Sequence, residues 1–427
     1  MRSPMDRRSF IALGAGLAAV PTLSACGAFS AYGSDPNTLV IHSQMGGNAP
    51  GSPTFRAVVG QFRKENPDIT VKNLVNGDDL GQVYETSRLA HAEADVVMVN
   101  LYDKTLAWTE VGATVPVGGY LDDWGLRERV IPKAVTEWTD PKGRLRALPY
   151  IGANWPVAFN EALLHRAGVD TPPTTSDDLI SAARKLRGKG IAPFTVGGND
   201  WTGQKLLAQI IQTFMNPAEA RHVYATGDFS GVRGAQDGIA YFADLRDAGV
   251  FADKAQGLTS DTMTTQYNTA HAAMESAMSS ALAKVPDNVV KTTSVGGFPL
   301  AAGAVQSKPT ILRTYTVSGF WISPNGVKKI KNVERFIRFM YRPEVVDRFV
   351  TEGGRDMAVV TEALSKDFPL VSKAQQLGDS VSQAVLPDQY IPSAAAQPLI
   401  QATSTAFTPG TGTRAIRKAL ESAYRSV

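Results

Sequence analysis

Three short apolar segments set the fold class of this chain. Residues 39–43, 69–75 and 95–99 are rich in Val, Ile and Leu, and each is followed by polar or glycine residues that break a strand. Between the first two, Ser52-Pro53 reads as an N-cap with proline at the first helical position. Phe55, Val58, Val59 and Phe62 then recur at i, i+3, i+4 and i+7, the stripe of one buried helix face. Asn66-Pro67 ends that helix, because the residue before a proline is pushed out of the helical region. A second helix is expected over about 80–93. Strands joined by helices of this length imply a parallel α/β sheet. Ligands of such sheets sit beyond the carboxyl ends of the strands, which singles out residues 44–48, 76–79 and 100–103. The candidate ligand-binding residues there are Gln44, Asn48, Asp78, Asn100, Tyr102 and Asp103. The amides of Gln44 and Asn48 suit a hydroxyl-rich ligand, since each can donate and accept. The competing role for each of these side chains is to stabilise a turn.

The amino terminus indicates where the chain works. Arg7-Arg8-Ser9-Phe10 precedes an apolar run over 11–20, which reads as a Tat-type export signal. That run is too short to span a hydrocarbon core of about 30 Å. Leu23-Ser24-Ala25-Cys26 resembles a bacterial lipobox, with cleavage before Cys26 and a lipid on its thiol. The expected arrangement is a signal peptide over 1–25 and a small, polar, lipidated tether over 26–37 on the outer face of the bacterial cytoplasmic membrane. Cys26 is the only cysteine, so there is no disulfide framework. The full chain carries a formal charge of +3. Arg2, Arg7 and Arg8 against Asp6 place two of those charges in the signal, which leaves no basic excess for nucleic acid. At 427 residues, two lobes are expected rather than one core.

No catalytic motif emerges. His42, His91, His165, His222 and His271 are widely separated, without a zinc-protease spacing. There is no nucleophile-elbow, phosphate-loop or dinucleotide pattern. Asp78-Asp79 and Asp122-Asp123 are adjacent acids, which usually diverge or cap turns rather than form a glycosidase pair. The expectation is a non-enzyme with no cofactor and no metal. The tryptophans are more telling. Sugars present apolar C–H faces on which aromatic rings pack, while polar groups bond the hydroxyls. Trp155, Trp201 and Trp321 are the candidate stacking rings, with core packing as the competing role for each.

From Gly143 onward the sequence becomes specific. Gly143, Ala147 and Pro149-Tyr150 lead to Val157-Ala158-Phe159-Asn160, then to Ala167-Gly168-Val169 and Pro172-Pro173-Thr174-Thr175. Asp95-Val96-Val97-Met98, Leu121-Asp122-Asp123, Ala272-Ala273-Met274 and Ser318-Gly319-Phe320-Trp321-Ile322-Ser323 complete an ordered set over nearly the whole mature chain. This set resembles the family 1 extracellular solute-binding proteins of ABC importers, the group that includes the maltose-binding protein.

The resemblance implies a two-lobed periplasmic-binding-protein fold, class II-like, each lobe a mainly parallel sheet flanked by helices, with a hinge between them. One lobe would comprise 38–150 and 293–343, the other 151–292 and 344–427, with crossings near Asn154, Phe298 and Tyr341. It implies a monomeric receptor that closes on a carbohydrate and delivers it to the membrane subunits of an ABC permease, anchored through Cys26. A glycerophosphodiester, polyol or other small polar solute is the alternative cargo, and an exported glycan-active enzyme the alternative of another class. Asn154 falls where the group places a polar ligand contact. Either Tyr102 or Asp103 matches its ligand-binding acid. Arg355, in Glu352-Gly353-Gly354-Arg355-Asp356, departs from the family's small residue. Its fork of donors could clamp sugar hydroxyls, a carboxylate or a phosphate, or pair with Asp356 or another acid. No aromatic stands at 277–279, where the maltose-binding protein has a sugar platform.

Overall fold

The first three strands form as their composition demands. The computed structural model describes residues 35–425 apart from Asn48 and Tyr102. β1 (Thr38–Ser43) is buried along its whole length. It pairs in parallel with β2 (Thr70–Val75) on one side and β3 (Val96–Asn100) on the other. The helix Ser52–Glu65 connects β1 to β2 and buries Phe55, Val58, Val59 and Phe62. The helix expected over 80–93 closes earlier, as Leu80–Leu89, and His91 sits in the left-handed region at φ 53°.

Beyond β3 the sheet changes character. β4 (Leu148–Trp155) and the long β9 (Thr310–Ile322) pair antiparallel with each other, and β9 pairs antiparallel with β3. β10 (Asp356–Met357) adds antiparallel to β4, and β11 (Ser382–Val385) adds in parallel to β9. The second sheet holds β5 (Val157–Asn160), β6 (Ala192–Thr195), β7 (Ala272–Ser276) and β8 (Thr293–Gly296) in the order β6-β7-β5-β8. Only its β6–β7 pair is parallel. Both sheets are therefore mixed, where mainly parallel sheets were expected. The chain returns from one sheet to the other through strands rather than helices, and a returning strand docks antiparallel.

Each sheet has its own core. The first gathers Leu39, Ile41, Phe55, Phe62, Trp108, Trp138, Tyr150, Trp321, Phe336 and Phe349. The second gathers Phe159, Leu186, Phe194, Ile210, Phe242, Phe251 and Phe298 with Leu399 and Leu420 from the carboxyl-terminal helices. A smaller cluster around Met263, Tyr267, Leu282 and Leu370 lies against Ala158 of β5. The first core includes Trp155 and continues through Val345, Phe349, Met357 and Val359. The divisions expected at 150 and 343 thus fall inside it. The apolar face of the helix Pro343–Thr351 holds the chain there, with Phe349 against Phe55 and Tyr150. Likewise β8 and Phe298 remain with the second sheet, past the division expected at 292.

Where β4 meets β9 the register slips between Ile151 and Ala153. Glu137, on the helix Pro132–Trp138, fills the gap in the ladder. Its carboxylate accepts from the Thr314 hydroxyl (2.9 Å) and from the backbone N–H groups of Tyr315 (2.8 Å) and Thr316 (3.1 Å). Burial pushes the Glu137 carboxyl above its usual range, and these donors pull it back. Among the described residues no helix is long and apolar enough to cross a membrane.

Candidate functional site

The carboxyl ends of β1, β2 and β3 open on the space between the two cores. Gln44 follows β1, donates its backbone N–H to the Met98 carbonyl, and accepts the Asn100 N–H on its side-chain oxygen at 3.1 Å. Gly46 is a close-approach glycine, since a Cβ there would lie 2.2 Å from Cγ1 of Val75. His42 and Asn76 are joined side chain to side chain at 2.6 Å, which fixes the end of β2 against β1. Burial holds the His42 imidazole below its usual range. Asn48 and Tyr102 lie outside the described residues, as do the side chains of Asp78 and Asp103 and the whole segment with Arg7, Arg8 and Cys26.

The crossing strands contribute a floor of polar groups. Asn100 and Ser318 are register partners across β3 and β9, and Oδ1 of Asn100 and Oγ of Ser318 are both buried without a hydrogen bond among the described residues. Asn154 is buried and donates Nδ2 to Asp356 Oδ2 at 3.3 Å, while its Oδ1 has no partner. Trp155 packs its ring in the first core, and its indole N–H is buried and unpaired. Asp356 also accepts the Ser279 hydroxyl, so one carboxylate of the first sheet ties the crossing strand to the turn after β7. Burial raises the Asp356 carboxyl, and the bonds from Ser279 and Gln375 pull it back. Next to Ser279, the buried Ser280 hydroxyl has no partner.

The second core presents Trp201. Gly197-Gly198 packs so tightly that a Cβ on Gly198 would lie 2.4 Å from the Ala255 carbonyl oxygen. The turn ends on Asp200, which caps the helix Trp201–Ile211 through the Thr202 N–H at 2.9 Å. Trp201, the first helical residue, is 42% exposed, an unusual state for so large an apolar ring. Lys205 lies one turn on, 5.9 Å from the ring centroid, and is paired at 2.7 Å with Asp388.

The structure therefore brings Gln44 and Asn100 into contact and sets Asn154 beside the Arg355–Asp356 segment, while Trp201 stands exposed on a helix packed in the second core. Trp321 is not part of this. It is fully buried, packs 5.6 Å from both Trp108 and Trp138, and donates to the Val99 carbonyl. An inward position on β9 made it core. Arg355 does not form an ion pair with Asp356, since no acid lies within 4.0 Å of its guanidinium among the described residues. Ser279, Ser280, Lys205 and Asp388 were not singled out from sequence, and Asp356 was named only as an alternative ion-pair partner for Arg355. Their one visible signal is Ser279, standing in the 277–279 segment where an aromatic was looked for. Among the described residues no group of three or more His, Cys, Asp or Glu side chains could hold a metal ion.

Comparison with known proteins shows the family and the fold. The family described as bacterial extracellular solute-binding protein matches residues 46–347. A crystal structure described as a "probable secreted solute-binding lipoprotein" from Streptomyces coelicolor is 72% identical, with a TM-score of 0.85 over 92% of this chain and 100% of that one. A chitin oligosaccharide binding protein shares the fold at 20% identity, with a TM-score of 0.75 over 91% of this chain and 98% of that one. The melibiose/raffinose/stachyose-binding protein MelE of Bacillus subtilis is 29% identical over 186 residues, 42% of this chain. That match spans 40% of the length of MelE.

Proposed function

Because the chain belongs to the family of bacterial extracellular solute-binding proteins, we propose that it is the cargo receptor of an ABC importer for carbohydrate. It acts by binding and release, without turnover. It is exported on its twin-arginine signal, held at the outer face of the cytoplasmic membrane by a lipid on Cys26, and meets the permease there. The single observation that carries the site is a set of buried polar atoms without hydrogen-bond partners among the described residues, on β3, β4 and β9 and in the turn after β7. Asn100, Ser318, Trp155 and Ser280 each leave one such atom. Buried polar groups are nearly always paired, so each such orphan is a place where a ligand can supply the partner. Neutral hydroxyl and amide groups beside the exposed Trp201 ring suit sugar hydroxyls and a sugar face. The similarity to MelE, a sugar-binding protein by its name, favours the same class of cargo.

The mechanism is closure. The crossings by β4, by β9 and by the segment after Val359 link the two cores. A cargo touching both makes its full set of contacts only when they are together, so it shifts the open–closed equilibrium toward closed. A thermal-shift screen of the purified protein against neutral and acidic mono- to oligosaccharides, polyols and glycerophosphodiesters tests the reading. A true cargo at a hundred times its Kd stabilises by about 2.7 kcal/mol. Stabilisation by a saccharide that is recovered intact is expected. Stabilisation by none of the saccharides, or their cleavage, contradicts the reading.

Trp201→Ala should weaken that saccharide by about 1–3 kcal/mol, the worth of one large apolar contact, or roughly five- to a hundredfold in Kd. The ring is exposed, so its loss should leave the melting temperature of the free protein unchanged. Unaltered affinity in the folded variant would remove Trp201 from the site.

A further inference from the structure

Arg355 is only 7% exposed, its Nε is buried without a hydrogen bond, and its side chain forms no ion pair among the described residues. A guanidinium cannot shed its charge at any working pH, so burying one without a partner is strongly unfavourable. Burial pulls its pKa down to about 10, with the charge of Asp356 acting the other way. Asp356 itself is occupied by Asn154 and Ser279 on the far side of β10.

The surroundings make the situation worse for a cation. The Arg355 stem lies against Gly51, where a Cβ would stand 3.3 Å from its Cγ. Gly51 is the N-cap of the fourteen-residue helix Ser52–Glu65. That end has no side-chain cap and no acid in its first turn. A helix amino terminus carries a partial positive charge and favours anions. A second guanidinium, Arg56, donates to the Gly47 carbonyl of the same loop at 3.4 Å. The stem of a buried arginine and a helix terminus without an acid in its first turn thus lie together, with no anion beside them among the described residues, while the exposed Arg56 belongs to the same helix end. The same loop follows β1 at the mouth of the proposed cargo site. Gly354, next to Arg355, packs against Ala283 and Phe368, which belong with the second sheet's side of that space.

We propose that Arg355 and the amino end of the helix Ser52–Glu65 hold an anionic oxygen group of the cargo. Resting on the carbohydrate reading above, this makes the cargo an acidic saccharide. The same chemistry would be met by the carboxylate of a uronic acid or by a phosphate ester, and a neutral sugar leaves the guanidinium uncompensated.

Calorimetric titration of wild-type protein and Arg355→Gln separates these cases. The probes are digalacturonate, its dimethyl ester, raffinose and sn-glycerol 3-phosphate. The expected result is digalacturonate binding at least about tenfold tighter than its ester to wild type, with the difference lost in Arg355→Gln and ester binding kept. The same variant should melt no lower than wild type, since it removes an unpaired buried charge. Tight binding of the phosphate alone, lost in Arg355→Gln, supports the anion site and identifies phosphate as its source, while contradicting the saccharide cargo. Equal binding of acid and ester, or binding of raffinose without preference for any anion, overturns the anion site and leaves the carbohydrate reading standing. Binding of no probe overturns both.

Discussion

Replacing Lys329 by methionine is expected to cost about 3–5 kcal/mol of folding stability, the usual consequence of stranding one member of a buried ion pair. Lys329 donates to Asp95 Oδ2 at 3.0 Å and to the Thr38 carbonyl at 2.8 Å, and both charged side chains are buried. Asp95 also accepts the Val40 N–H at 2.7 Å, so the pair fastens β1 to the start of β3 and to the residue preceding the helix Ile330–Met340. Burial already raises the Asp95 carboxyl above its usual range, with Val40 and Lys329 drawing it down. Without Lys329 it must be either an unpaired charge or a protonated acid. Urea unfolding at pH 7 measures the loss. Adding Asp95→Asn should recover part of it, because the stranded charge is gone while an acceptor remains for Val40. A loss below about 1 kcal/mol would mean that the pair is no better than a surface one.

A second large effect has the opposite sign. Glu275 lies in the middle of the second sheet, on β7, paired with Ala158 and Thr195. Its side chain is buried, Oε2 has no partner, and burial pushes its carboxyl up to about 8. In the unfolded chain the same group titrates near 4.5. Below that pH both states are protonated and there is no penalty. As the pH rises toward 8, the unfolded chain releases a proton that the folded chain keeps, so stability falls. At about 1.4 kcal/mol per pH unit, the loss over that window is on the order of 3–5 kcal/mol. Glu275→Gln should remove it. The variant is expected to exceed wild type in melting temperature at pH 8 and to converge with it near pH 4.5. Parallel profiles for the two proteins would show that Glu275 does not carry the pH dependence.

The parts of the fold readable in the sequence were those whose pattern is local. β1, β2 and β3 and the helix after Ser52-Pro53 were legible because strand composition, cap and 3.6-residue periodicity all lie within about twenty residues. The Gly197-Gly198-Asn199-Asp200-Trp201 turn was legible too, as a loop opening a helix with an exposed ring. The antiparallel docking of β9 was not, since it depends on which strand a distant segment meets. Trp321 shows the same limit, because an aromatic on a strand looks alike whether its face is inward or toward a cleft. The packing of Pro343–Thr351 in the first core, past the division placed at 343, was not legible, because its apolar face declares a buried helix without saying in which core. Arg355 stood out as a charge in a glycine turn, but its burial against Gly51 without an acid partner among the described residues is visible only in the fold. Glu275 gave no sign at all. In Ala272-Ala273-Met274-Glu275-Ser276 it reads as the polar residue of an ordinary strand.

The central claim is capture of a saccharide between two cores that close upon it. Small-angle X-ray scattering of the purified protein, free and saturated with the saccharide found in the thermal-shift screen, tests it most directly. The account predicts a smaller radius of gyration in the saturated sample, as the open population is lost to the closed form. An unchanged radius at demonstrated saturation would contradict capture by closure.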